Sequence, residues 1–146
     1  MKLSTTRFGE IEVQESAFFE LVSPILGYDD ERKFVLVEQN ENSKFKWLQS
    51  VQTPSLAFAV TSAGLFGIEY SFELPDATQE ELAIEDADDI LALSIVVIPH
   101  ENPRRSTINL LAPIIVNLKT NKASQVILSG SNFEVDYPLF EKEVLC

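Results

Sequence analysis

Apolar and polar residues alternate along most of this chain. In residues 10–14, Ile11 and Val13 fall on one face and the three polar residues fall on the other, which is the pattern of a half-buried strand. The same alternation, or a short apolar run bounded by glycine, proline or aspartate, recurs along the chain. These patterns predict strands at residues 2–5, 10–14, 34–38, 44–49, 56–61, 70–74, 90–98, 114–118 and 124–128.

One short helix is predicted between the strands at 70–74 and 90–98. Thr78 and Glu81, three residues apart, form the pattern of a capping box. Asp76 adds negative charge where the helix dipole favours it. Leu82 and Ile84 are expected to anchor this helix to the sheet.

Many short strands at close spacing are typical of an antiparallel barrel or sandwich. We therefore predict an all-β, predominantly antiparallel fold: a small barrel-like or sandwich domain with one short helix. A length of 146 residues with 45% hydrophobic residues suits one domain spanning residues 1–146. The ten phenylalanines are expected to fill its interior.

Positive charge is missing from the middle of the chain. Residues 47–103, hereafter the acidic middle, contain no lysine or arginine but ten carboxylates, in a chain with a net charge of −12. A surface of one sign repels nucleic acid and anionic membranes and attracts basic macromolecules. The alternative is that acidic loops only keep the protein soluble. The asymmetry favours a basic protein as partner, with no direct binding to nucleic acid or membrane.

The sequence offers no recognisable catalytic or metal-binding pattern. The only histidine, His100, lies in a polar loop without an identifiable catalytic partner. The acidic run at 85–89 lacks the glycine and the ligand spacing of a calcium loop, and no cysteine–histidine spacing matches a zinc site. We predict no enzyme activity, no metal and no cofactor. Cys146 is expected to be an unreactive thiol.

No export signal is visible at the start of the chain, and the longest apolar stretch, residues 90–98, is too short for a membrane-spanning helix. These features predict a cytoplasmic location.

Aromatic residues precede the acidic run and make it a candidate interface. Phe66 and Tyr70 stand near Gly64 and Gly67, directly ahead of the carboxylates. Aromatic anchors beside complementary charge are common in protein–protein hot spots, although core packing is an equally good explanation for these two rings. The predicted partner-binding residues are Phe66, Glu69, Tyr70, Glu73, Glu80, Glu81, Glu85, Asp86, Asp88 and Asp89.

Several blocks of the sequence together resemble a known family. They are Thr5-Thr-Arg-Phe-Gly-Glu-Ile-Glu-Val13, Pro24-Ile-Leu-Gly-Tyr28, residues 47–50 with Pro54 and residues 56–58, residues 109–117, Lys119-Thr, and residues 125–128. In this order and spacing they resemble the flagellar assembly factor (FliW) family. The resemblance is clear over residues 1–128 and fades in the C-terminal tail, residues 129–146.

The resemblance implies a small β-barrel-like cytoplasmic protein without enzyme activity, monomeric when free. Members of this family bind flagellin and, in many bacteria, CsrA, the RNA-binding translational repressor that silences flagellin messenger RNA. Free factor captures CsrA at a surface separate from the RNA-binding face, and unsecreted flagellin occupies the factor and lets repression resume. A different class stays open as the alternative, a small-molecule carrier, because a closed barrel can enclose a ligand.

Overall fold

The computed structural model describes residues 1–38 and 41–140. These residues form short strands, one α-helix and several single-turn 3-10 helices. The strands are β1 (Lys2–Thr5), β2 (Gly9–Glu12), β3 (Phe19–Ser23), β4 (Lys33–Val37), β5 (Lys46–Ser50), β6 (Ala57–Thr61), β7 (Ile90–Val97), β8 (Thr107–Ile108), β9 (Ile114–Asn117), β10 (Lys122–Gln125) and β11 (Tyr137–Pro138), and the helix is α1 (Asp76–Glu81).

Seven strands close into a barrel. Each of β3 to β7 pairs antiparallel with its neighbour in the sequence, and β7 then pairs with β9 and β9 with β10, again antiparallel. The barrel closes where β10 lies parallel to β3, with Lys122 opposite Glu20. The predicted fold class is confirmed, and the barrel is the form that it takes.

Large apolar side chains fill the interior of the barrel. Phe34, Leu48, Val60, Ile114 and Val116 are each no more than 2% exposed and belong to one cluster. They come from alternate positions of their strands, as the period of two requires. An interior packed in this way argues against the carrier alternative.

Apolar residues on the outer faces of the strands are also covered. Ile115 and Val126 pack with Leu82 in a second cluster, beneath the connection that joins β6 to β7. Val96 and Ile108 belong to a third cluster. Apolar residues from the last part of the described chain pack in the same cluster. Two covering segments, residues 66–84 and 133–140, therefore wrap the barrel because its strands are apolar on both faces.

The β1–β2 hairpin packs on the outer side of β5. Its turn needs a positive φ at Gly9 (+70°), a conformation that glycine adopts without strain. The Arg7 guanidinium lies 4.0 Å from the centre of the Trp47 ring, and the Phe8 ring meets the same tryptophan edge-on at 6.2 Å. The hairpin predicted from residues 2–5 and 10–14 is confirmed, with the second strand beginning at Gly9.

The predicted strand at residues 70–74 is wrong. This segment has no regular secondary structure, although Tyr70, Phe72 and Leu74 do alternate with the exposed residues between them. The alternation shows only which side chains face the barrel. An extended segment that lies across a sheet shows the same alternation without pairing with a strand. Strand β3, whose Phe19 and Leu21 point into the interior, has no counterpart among the predicted strands.

The predicted helix exists, but its start was placed wrongly. It begins at Asp76 after Pro75, so Thr78 lies inside the helix rather than at its cap. The Thr78 backbone N–H donates to the carbonyl of Pro75, which replaces the side-chain bond of a capping box. Leu82 is fully buried as expected, and Ile84 packs against the same cluster.

The C-terminal region to Phe140 returns to the barrel, where β11 pairs with β8. The prediction about Cys146 lies outside the described residues.

Candidate partner-binding surfaces

Half of the carboxylates of the acidic middle lie on or beside α1. Glu73 and Glu85 line a groove between the segment before the helix and the segment after it. Glu80 and Glu85 line a second groove beside the first. We call the surface formed by Glu73, Asp76, Glu80, Glu81 and Glu85 the helix face; all five are exposed.

The end of α1 is fixed by a Schellman motif. The Ile84 backbone N–H donates to the carbonyl of Gln79 and the Ala83 N–H to that of Glu80. Ala83 therefore has a φ of +54°, where glycine is usual. The Asn117 side chain, from the last residue of β9, donates to the carbonyls of Leu82 (2.8 Å) and Ala83 (3.2 Å). These bonds hold the helix face against the barrel.

The three acidic residues that follow, Asp86, Asp88 and Asp89, form a single helical turn before β7. The Asp86 carboxylate accepts from the Asp88 backbone N–H at 2.9 Å, and the Leu118 N–H donates to the carbonyl of Asp89. Asp86 and Asp88 are exposed, and Asp89 is partly buried. The acidic run is thus an ordered continuation of the helix face.

Among residues 1–38 and 41–140, few interactions neutralise this surface. Lys119 lies 3.9 Å from the Glu85 carboxylate, and both side chains are largely exposed, so the pair contributes little. The Ser23 hydroxyl donates to Glu81 at 3.3 Å and, as a neutral group, brings no positive charge to this surface. The helix face therefore remains strongly negative.

Phe66 and Glu69 lie elsewhere, in a groove of about 950 Å³ beside the C-terminal covering segment. The Phe66 ring is 5.4 Å from that of Phe45 and 5.7 Å from that of Phe140, and the Lys44 ammonium lies 5.0 Å from its centre. We call this the aromatic groove. The ten predicted residues therefore divide between two surfaces, because the chain between Glu69 and Glu73 turns across the barrel.

Tyr70 lies in the segment between these two surfaces, and its contacts with neighbouring residues hold its side chain in place. Its ring lies 4.9 Å from Phe72 and 4.9 Å from Phe133, and its hydroxyl donates to the carbonyl of Leu110 at 2.5 Å. Burial raises the pKa of Tyr70 to about 12, against a smaller opposing effect of the Ser94 hydroxyl. These contacts give Tyr70 a packing role, whereas the Phe66 ring borders an open groove.

A third surface was not found from the sequence. Leu26, Tyr28, Ile127 and Val135 are exposed and line one cleft at the mouth of the barrel. We call it the mouth cleft. Each residue taken alone resembles an ordinary surface residue, and only the closed barrel brings them together.

Within residues 1–38 and 41–140, no group of three or more histidine, cysteine or carboxylate residues is arranged to hold a metal ion. Among the helices of these residues, none is long and apolar enough to cross a membrane.

Comparison with known proteins identifies relatives over nearly the whole chain. A family described as FliW protein matches residues 2–139. The flagellar assembly factor FliW of Syntrophus aciditrophicus is 39% identical over 141 residues, covering 97% of this chain and 89% of that protein. The same factor of Geobacter sulfurreducens is 36% identical over 142 residues, covering 97% and 88%.

The fold is shared as well. A crystal structure of the flagellar assembly factor FliW matches with a TM-score of 0.90 at 31% sequence identity, covering 98% of this chain and 99% of that one.

Proposed function

Because the chain belongs to the FliW family, we propose that it is a non-enzymatic flagellar assembly factor that binds flagellin and the RNA-binding repressor CsrA in alternation. The observation that carries this proposal is the match over residues 2–139, which includes every described strand of the barrel and the helix face. In this role the protein is a cytoplasmic monomer that captures CsrA when free, so that flagellin messenger RNA is translated. Unsecreted flagellin then occupies it and releases CsrA.

The helix face is the proposed site for CsrA. A protein that binds RNA carries a basic surface, and a negative surface steers it into contact. The helix face is exposed, has only the exposed Lys119–Glu85 ion pair among the described residues, and is bonded to the barrel through Asn117. A surface with one sign of charge favours fast association, with the rate depending on salt.

Reversing charges on the helix face and on the acidic turn that continues it tests the placement. The variant with lysine at Glu80, Glu81, Asp88 and Asp89 is expected to associate with CsrA at least about tenfold more slowly, because electrostatic steering accelerates association by roughly 10–1000-fold. Its rate should also depend less on salt. Stopped-flow fluorescence at several ionic strengths measures both quantities.

A matched control carries the same change in net charge outside the acidic middle. Lysine at Glu10, Glu15, Glu38 and Glu41, all exposed, is expected to slow association much less. Equal rates for the two quadruple variants would place the CsrA site elsewhere.

The aromatic groove is the second candidate contact. If Phe66 contacts a partner, Phe66→Ala is expected to weaken binding of flagellin or CsrA by about 2 kcal/mol while the protein stays folded. Tyr70→Ala is expected instead to lower stability, because it removes an anchored ring and hydroxyl. Calorimetric titration and thermal melting of both variants separate the two roles. A large loss of stability in Phe66→Ala with unchanged affinity would return Phe66 to the core.

Alternation predicts competition between the partners. Labelled CsrA bound to this protein should be displaced by added flagellin, which a fluorescence anisotropy titration detects. A stable complex of all three proteins at stoichiometric concentrations would reject alternation.

A further inference from the structure

The mouth cleft gathers exposed apolar side chains that the proposed function does not use. Leu26 is 76% exposed, Ile127 and Val135 are 54% exposed, and Tyr28 is 40% exposed. All four line the same cleft of about 310 Å³. Single exposed apolar residues need no explanation, whereas several that line one cleft make it a candidate interaction site.

The cleft is formed in advance by the barrel. The Tyr28 ring meets Phe58 edge-on at 5.1 Å, and Phe58 packs against the interior cluster. The Gln125 side chain accepts from the Leu26 backbone N–H at 2.7 Å and donates to the carbonyl of Ala112 at 3.2 Å. Leu26 is thereby held in the open, although it follows Ile25, which is only 3% exposed.

Carboxylates flank the residues that line the cleft. Residues 24–31, 106–118 and 123–140 supply most of its lining and contain no lysine or arginine, and the guanidinium of the adjacent Arg32 is bonded to the carbonyls of Leu21 and Val22. These segments place Asp29 and Asp30 after Tyr28, and Glu134 and Asp136 on either side of Val135; all four carboxylates are exposed. Ile127 also shares a shallow groove with Glu73 of the helix face. An apolar centre with acidic neighbours fits an apolar segment that has basic neighbours.

Two other occupants fit the cleft less well. A second copy of this chain would bring another set of these carboxylates against the first, in a protein with a net charge of −12. A small molecule inside the cleft would leave Leu26 uncovered, because most of that side chain stands out at the rim. A peptide lying across the rim covers the rim and the cleft together.

We propose that the mouth cleft is a protein-docking site that takes a short segment with aliphatic side chains and adjacent lysine or arginine residues. The aliphatic side chains would contact Leu26, Tyr28 and Ile127, and the basic residues would face Asp29, Asp30 and Asp136. This proposal does not depend on CsrA or flagellin being partners of the protein.

Peptide selection tests this proposal without a known partner. A displayed library of random 12-residue peptides is selected on the wild-type protein, with the Leu26→Ser/Ile127→Ser variant used to remove peptides that bind elsewhere. The surviving peptides are expected to combine aliphatic with basic residues. In fluorescence anisotropy they should bind the wild-type protein at least tenfold more tightly than the double variant.

Two further variants complete the test. Leu118→Ser removes a leucine that is 49% exposed outside the cleft and should bind the selected peptides like the wild-type protein. Asp29→Lys/Asp136→Lys keeps the apolar residues and should weaken binding at least tenfold. Both sites are exposed, so thermal melting should show folded proteins.

The proposal is overturned if no selected peptide distinguishes the wild-type protein from Leu26→Ser/Ile127→Ser, or if the selected peptides are acidic. Native mass spectrometry of the same two proteins examines the other occupants. A dimer, or a retained small molecule, that the double variant loses would assign the cleft to that occupant and also overturn the proposal.

Discussion

Tyr70 is the residue that ties the covering layer to the barrel. Its hydroxyl bonds to the carbonyl of Leu110, and its ring lies between those of Phe72 and Phe133, which belong to the two covering segments. One side chain therefore links residues that are far apart in the sequence.

Removing only the hydroxyl tests this link. Tyr70→Phe keeps the ring contacts but leaves the Leu110 carbonyl without its donor, so it is expected to lower the free energy of unfolding by about 1–3 kcal/mol. Urea denaturation measures the difference. Tyr28→Phe, at an exposed tyrosine, should change stability by less than about 0.5 kcal/mol. Equal effects of the two substitutions would mean that the Tyr70 hydroxyl contributes nothing.

The same hydroxyl predicts a dependence on pH. The pKa of Tyr70 is about 12 in the folded protein and 10 for an ordinary tyrosine, because burial disfavours the phenolate. Its contribution to stability is therefore complete below pH 10 and is lost as pH rises from 10 through 12. Urea denaturation at a series of alkaline pH values should show the wild-type advantage over Tyr70→Phe shrinking across this range. An advantage that grows with pH would contradict the assigned cause.

The helix α1 depends on one buried anchor rather than on its own length. Six residues are too few for a helix to be stable alone, so packing must hold it. Leu82 is fully buried in the cluster beneath it. Its neighbour Ala83 adopts the left-handed conformation that ends the helix.

Substitutions at these two neighbours should differ sharply. Leu82→Ala is expected to lower the free energy of unfolding by about 2–5 kcal/mol, since it opens a cavity under the helix. At Ala83, glycine relieves backbone strain but loses more entropy on folding, so Ala83→Gly should change stability by less than about 1 kcal/mol. Chemical denaturation of both variants checks this. A similar effect at the two positions would show that the helix is not anchored through Leu82.

Elements that have a strong local sequence pattern could be predicted from the sequence. Elements that depend on contacts with distant parts of the chain could not. The long apolar run predicted β7 to within one residue, because such a run fits a strand apolar on both faces. The segment at 70–74 has the alternation of a strand without a pairing partner, which no local pattern reveals. The prediction grouped Phe66 with Glu80, which are close in the sequence but lie on separate surfaces. Leu26 and Ile127, in contrast, are far apart in the sequence and come together in one cleft only because the barrel closes.

At the scale of the whole molecule, like charges dominate. The net charge is −12, and among residues 1–38 and 41–140 the ion pairs are Met1 with Glu12 and Lys119 with Glu85, all partly or largely exposed. Exposed pairs contribute little, whereas a large net charge destabilises the compact state through self-repulsion.

Salt should therefore stabilise this protein. Raising sodium chloride from about 0.01 M to about 0.5 M shortens the screening length and should raise the melting temperature by several degrees. Differential scanning calorimetry measures the shift. Choline chloride at equal ionic strength serves as the control and should act similarly if screening is the cause. A melting temperature that falls with both salts would contradict the prediction.

The barrel closes only when β10 pairs with β3, so its closure must wait until β10 has been synthesised. The two strands are about a hundred residues apart in the sequence, and such distant pairings form slowly because the chain between them must first be ordered. While the chain is being synthesised, β3 leaves the ribosome long before β10 has been made. Until then both edges of the unclosed sheet and the apolar interior stay open to other molecules. The mouth cleft also needs both regions, so a nascent chain cannot capture a partner there until residues 125–135 have left the ribosome.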